Sequence, residues 1–301
     1  MSEDTRTLDE KIDEVVESIK KTSTPFSLLL IFFLIVNLVG YLVSMVFTAD
    51  VDLFQFQIWM ADNIDDFGTV HLSTHALAEI IIFGPFLSLV MVFCFRYMKR
   101  YWTERNRVSE RKKRILSYLM VIAVILVNTG VFTNRLFNLV TEVLKDLIPE
   151  THPRYYMYIY AYYMDEILGH HLLNFGLSLF PFIMALLMPM DSKVFIGEER
   201  MNVGERYYLI PIPSIIYGVI SGIMNLEGQS AVSVMIFNAI LILVVILYIS
   251  RKKTAIMAWN RPFLVLLILQ TAVMLGYVLI WGIFTEFKLY YPFFLQPSEL
   301  H

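Results

Sequence analysis

Residues 165–176 read DEILGHHLLNFG, with two acids and two histidines side by side ahead of an apolar run. Glu166, His170 and Asn174 recur at i, i+4 and i+8, which places them on one face of a helix. Residues 71–79, HLSTHALAE, carry the same spacing in His71, His75 and Glu79. Four of the six histidines in the chain fall in these two windows. A histidine and a carboxylate one helical turn apart can hold a single metal ion between them, because i and i+4 side chains are neighbours. Imidazole and carboxylate together suit zinc, iron, manganese or copper(II). The one cysteine, Cys94, leaves no thiolate cluster and no intrachain disulfide.

These residues sit in a chain that is 57% hydrophobic and only 17% charged over 301 residues. A soluble domain carries roughly a quarter charged residues. Seven apolar segments can be drawn, at about 25–47, 70–96, 115–140, 165–189, 207–225, 231–250 and 262–285. Several exceed the roughly 18 residues needed to cross the hydrocarbon layer as a helix. The expected fold is therefore all-α, a polytopic integral membrane bundle of about seven transmembrane helices. A leader at 1–24 precedes it and a tail at 291–301 follows it. In the leader, Thr7 and Glu10 have capping-box spacing, and Leu8, Ile12, Val15 and Ile19 share a face, as in a short amphipathic helix.

Charge is sorted by side. Of the 24 Lys and Arg, 20 lie in the leader and in the loops at 96–114, 190–206 and 251–261, and three lie on the other side. The positive-inside rule then puts the N-terminus in the cytoplasm and the C-terminus outside. The basic 96–114 loop serves as a topology determinant and a contact for anionic lipid. On the outer side, 48–68 is acidic and aromatic with no base, and YYMYIYAYY at 155–163 is a tyrosine belt at headgroup level. The stretch 141–164 is long enough for an interfacial helix. Ser214, Gly218 and Gly222 give small-residue spacing suited to close helix packing.

Counting back about 20 residues from the inner ends, at 1.5 Å each, brings His75 and His170 to matching depth at the outer boundary. Arg135 is the one Arg or Lys deep inside a segment. Burying it unpaired costs a few kcal/mol, so it needs Glu79, Asp165 or Glu166 as partner or snorkels outward, and it could also hold an anionic substrate group. The expected metal ligands are His71, His75, Glu79 and His170, with His171 beside them. Glu166, Asp165 and Arg135 are the expected catalytic groups.

The function this pattern points to is a metal-dependent membrane enzyme, hydrolase or oxidase, in the plasma membrane. It would act on a lipid or lipid-soluble substrate presented at the outer interface. Membrane lipids and other membrane-protein subunits are the expected partners, with no nucleic acid. A transporter of a metal ion or proton would use the same stripes, but the inner halves of several helices (FGPFLSLVMVF, SLFPFIMALLM, ILILVVILYI) are almost wholly apolar. A haem b electron carrier, with His75 and His170 as axial ligands, and a non-catalytic subunit are the remaining readings.

Overall fold

The computed structural model describes residues 25–46, 52–59, 67–104, 108–188, 208–251 and 261–285. The leader and the tail lie outside the described residues. Within them the chain is an all-α bundle with one short hairpin. In order come α1 (Pro25–Val46), β1 (Asp52–Trp59), β2 (Phe67–Ser73), α2 (Thr74–Ile81), α3 (Leu87–Glu104), α4 (Glu110–Leu147), α5 (Tyr155–Tyr162), α6 (His170–Leu187), α7 (Pro211–Glu227), α8 (Ala231–Ser250) and α9 (Pro262–Phe284). A π-helical turn at Ile82–Phe86 joins α2 to α3, and a second at Tyr163–Gly169 joins α5 to α6. Five described helices are long and apolar enough to cross a membrane: Ala76–Glu104, Glu110–Leu147, Tyr155–Leu187, Ala231–Ser250 and Pro262–Phe284.

The structure departs from the sequence reading in two places near the site. β1 and β2 pair antiparallel, with Phe56 opposite Val70 and Gln55 opposite His71. Strand 52–59, DLFQFQIW, alternates apolar and polar residues with period two from Phe54 to Ile58, which favours a strand. His71 therefore sits on β2, and the helix begins only at Thr74. His71, His75 and Glu79 do not form one helical stripe. The stretch 155–163 is helical, yet it does not lie apart as an interfacial helix. It continues through the π turn into α6 as one rod from Tyr155 to Leu187.

α6 is the centre of the bundle. Every residue from Gly176 to Ala185 is buried, as expected of a helix enclosed on all sides. On α4 the buried residues Leu116, Met120, Ala123, Val127, Val131 and Asn134 recur every three or four positions, a stripe that faces α6. The two helices meet backbone to backbone. A Cβ at Gly130 would collide with the Leu173 main chain, one at Gly169 would lie 2.6 Å from Asn134 N, and one at Gly176 would lie 2.7 Å from Val127 Cγ2. Small residues at membrane helix crossings allow this approach. Gly218 gives a similar crossing of α7 on α9, where a Cβ would lie 2.9 Å from Val273 Cβ.

The base-rich end of α6 is closed by Arg261, which is fully buried. Its Nη1 donates to the carbonyls of Ala185 (3.0 Å) and Met188 (3.4 Å), satisfying the last turn of α6. Burial lowers the Arg261 pKa to about 10, so it stays charged at neutral pH. In the core, Phe180 packs tilted on Phe33, centroids 4.5 Å apart, and edge-to-face on Phe263, centroids 5.7 Å apart. The outward faces are apolar too: Leu89 and Ile280 are more than two-thirds exposed, as helices facing hydrocarbon require.

Gly130→Ala is expected to force α4 and α6 apart, with overpacking of roughly 1–3 kcal/mol. A thermal melt in detergent should show the midpoint falling by several degrees. Gly276→Ala, where a Cβ would meet nothing within 4 Å, should not lower it, since an unhindered alanine favours the helix.

Candidate functional site

The polar centre forms where α4 crosses the start of α6. From Glu110 to Asn134, α4 rises about 36 Å, more than the roughly 30 Å of a hydrocarbon layer, so this crossing lies near the base-poor interface. In a regular α-helix, Asp165 and His170 would be about 1.4 turns apart and on different faces. The chain is wound as a π-helix from Tyr163 to Gly169, and an i→i+5 turn brings positions five apart back into line. Asp165, Glu166 and His170 each then offer a ligand atom within 4.8 Å of the others. His170 Nε2 lies 3.8 Å from Glu166 Oε2. Asp165 is 2% exposed.

Asn134 on α4 ties this group together. Its side-chain nitrogen donates to Asp165 Oδ1 at 2.8 Å and lies 2.9 Å from His170 Nε2. An amide nitrogen can only donate, so Nε2 accepts and the neutral ring carries its proton on Nδ1, given this amide orientation. The other side of the ring rests on Gly228, in the turn between α7 and α8. A Cβ at Gly228 would overlap His170 Cγ and Nδ1.

Behind His170 a string of buried polar groups runs into the bundle. Asn174 donates to His170 O (2.9 Å) and to Ser230 Oγ (3.3 Å). Ser230 donates to Asn225 Oδ1 (2.8 Å), Asn225 donates to Ser221 O (2.6 Å), and Gln270 donates to Ser221 Oγ (3.2 Å). The string stops at Gln270. Below it Phe263, Leu264, Leu266 and Leu267 are wholly buried and apolar.

Arg135, next to Asn134, pairs with Glu79 at 2.8 Å. This is one of the partners its position demanded. Glu79 is 4% exposed, so α2 is joined to α4 by a buried carboxylate. His171 turns away from the group. Its Nδ1 donates to Ile167 O at 2.6 Å, and its Nε2 lies 2.6 Å from Ser233 Oγ on α8. The structure thus brings together Asp165, Glu166 and His170, sets Glu79 on Arg135, and fixes His171 against α8. The side chains of His71 and His75 lie outside the described residues. A cavity of about 30 Å³ beside His170, lined by Asn134, Arg135 and Asn174 with Phe83, Leu177 and Met224, has room for a water or an ion. It is far too small for a haem.

The sequence pattern places Asn174 on the His170 stripe but gives neither it nor Asn134 a role toward Asp165 or His170. Ser230 and Gly228 carried no signal beyond their place in a short turn. No protein-family model matches the sequence, no curated protein matches it, and no solved structure matches the fold. Fold and geometry define a helical membrane-type protein with an Asp/Glu/His group, Asp165 of it buried, at one end of its bundle.

Removing Arg135 would take a cation away from the buried Glu79 carboxylate. Arg135→Met should destabilise by an amount near the low end of roughly 3–5 kcal/mol, since Arg135 itself is partly exposed. The double variant Glu79→Gln/Arg135→Met should regain most of that loss. Detergent melts of the two variants check both expectations.

Proposed function

We propose that Asp165, Glu166 and His170 hold a divalent transition metal, and that the protein is a metal-dependent membrane enzyme. The observation that supports this best is the π turn, which places three ligand atoms within 4.8 Å on a single rod. Two carboxylates and one imidazole suit zinc, iron or manganese. Metal on His170 Nε2 takes the lone pair that the Asn134 amide uses in its absence, so Asn134 would let go of the ring and keep Asp165. Arg135 and Glu79 act as a fixed charge pair at the rim. A bound metal would supply Lewis-acid activation of water or dioxygen.

The protein's own part is then to position and to exclude. Glu166, less buried than Asp165, is the proposed general base when it is not on the metal. Arg135, partly exposed beside the cavity, would take an anionic group of the substrate. The polar group lies near the base-poor interface, which by the sorting of charge would be the outer one. Substrates there present polar heads while their chains stay in hydrocarbon, so a lipid or a lipid-soluble molecule is the proposed substrate class. The alternative of ion transport has one supporting observation, the polar string to Gln270. Its apolar floor argues against a passage through the bundle.

Elemental analysis of detergent-purified protein should find about one equivalent of transition metal. It should be lost in Asp165→Asn/His170→Ala and kept in His171→Ala. Wild-type proteoliposomes loaded with that metal should convert added lipid extract to new hydrolysed or oxygenated products by mass spectrometry, and Glu166→Gln should not. Bound metal with no product but with metal or proton flux across the vesicle would favour transport. No metal at all would overturn the proposal.

A further inference from the structure

At the opposite, base-rich end, the bundle has a groove with no part in the polar centre. It encloses about 530 Å³, within the roughly 300–1,000 Å³ of ligand pockets. Its mouth is formed by Ser109, Arg111 and Lys112 at the start of α4 and by Tyr248 near the end of α8. Deeper in, its walls are apolar: Ile115 and Leu116 on α4, Val244 one turn up α8, and Leu186 on α6. Among the described residues, no acidic one lines it. The neighbouring Glu110 is taken by Lys113 at 2.7 Å. Lys112 Nζ stands 5.3 Å from the centre of the Tyr248 ring, at the rim. Charge-bearing Arg261 lies behind the wall, on the carbonyls of Ala185 and Met188 that flank Leu186. Ile115 and Val244 are both more than two-fifths exposed, so the groove opens sideways to the surrounding medium.

We infer that this groove binds one anionic phospholipid, its phosphodiester on Arg111 and Lys112 and an acyl chain along Ile115 and Val244. Charge and depth both fit. Cations with a hydroxyl sit at headgroup level, and hydrocarbon-facing side chains begin one turn deeper. The positive-inside rule sets this end in the cytoplasm, where the leaflet is rich in anionic lipid. A free anion would leave the apolar walls unused, and a neighbouring apolar helix would leave Arg111 and Lys112 without counter-charge.

Native mass spectrometry of the full chain, titrated with dioleoyl-phosphatidylglycerol and with dioleoyl-phosphatidylcholine, tests this. The expected result is one tightly retained phosphatidylglycerol, preferred over phosphatidylcholine. At roughly fivefold per surface cation, Arg111→Gln/Lys112→Gln should weaken retention about 25-fold. Val244→Trp, which fills the groove and keeps the charges, should also lose it. Arg114→Gln, an exposed cation of the same turn that does not line the groove, should not. Equal retention of the two lipids would overturn the inference, as would an equal loss in Arg114→Gln or full retention in Val244→Trp. So would displacement by the chain-free headgroup glycerophosphoglycerol as readily as by the lipid, or a lipid-free dimer closed over the groove.

Discussion

The approach of α4 to α6 governs the rest of the molecule. Gly130, Gly169 and Gly176 remove the side chains that would hold the two backbones apart. At that separation Asn134 can donate to a carboxylate on the neighbouring rod, and a single amide nitrogen reaches both Asp165 and His170. In hydrocarbon there is no general hydrophobic force between helices, so close packing and interhelical hydrogen bonds must supply the association. Here both occur at one crossing. The glycines give contact along the length of the stripe, and Asn134 fixes its rotation.

A second constraint follows from the apolar surroundings. A polar group that cannot reach water must find a partner inside the protein. The buried groups behind His170 obey this in sequence, from Asn174 through Ser230, Asn225 and Ser221 to Gln270, and they join α6, the turn between α7 and α8, α7 and α9. The Glu79–Arg135 pair does the same for α2 and α4. The polar centre is therefore also the joint at which most of the helices are registered. Substitutions there are expected to affect assembly as well as chemistry, which is why metal content and melting temperature need to be read together.

Much of this was legible in the sequence. Long apolar runs and sorted Lys and Arg gave the membrane class and the position of the site at the base-poor end. The isolation of Arg135 demanded a carboxylate, and Glu79 is that carboxylate. Ser214, Gly218 and Gly222 announced a close crossing, and Gly218 provides one. Other features were hidden for identifiable reasons. A period of 3.6 residues was assumed through Asp165–Asn174, and the π turn changes the period locally without any composition signal. It exchanges a stripe of Glu166, His170 and Asn174 for a cluster that also holds Asp165. The hairpin was hidden because 48–68 stands out by its acidic and aromatic composition, although Gln55 and Gln57 alternate with Phe54, Phe56 and Ile58 as in a strand. Gly228 could not be assigned from sequence, since its role is to make room for a ring 58 positions earlier in the chain.

The central claim is that His170 and the acids of the π turn face one ion. Spin-echo modulation of copper(II) bound to the purified protein reads this directly, because an imidazole ligand imprints its remote nitrogen on the echo decay. The expected result is an imidazole signal that persists in His171→Gln and disappears in His170→Gln. A bound ion with no imidazole signal, or a signal that survives loss of His170, would contradict the claim and return Asp165, Asn134 and His170 to a purely structural role.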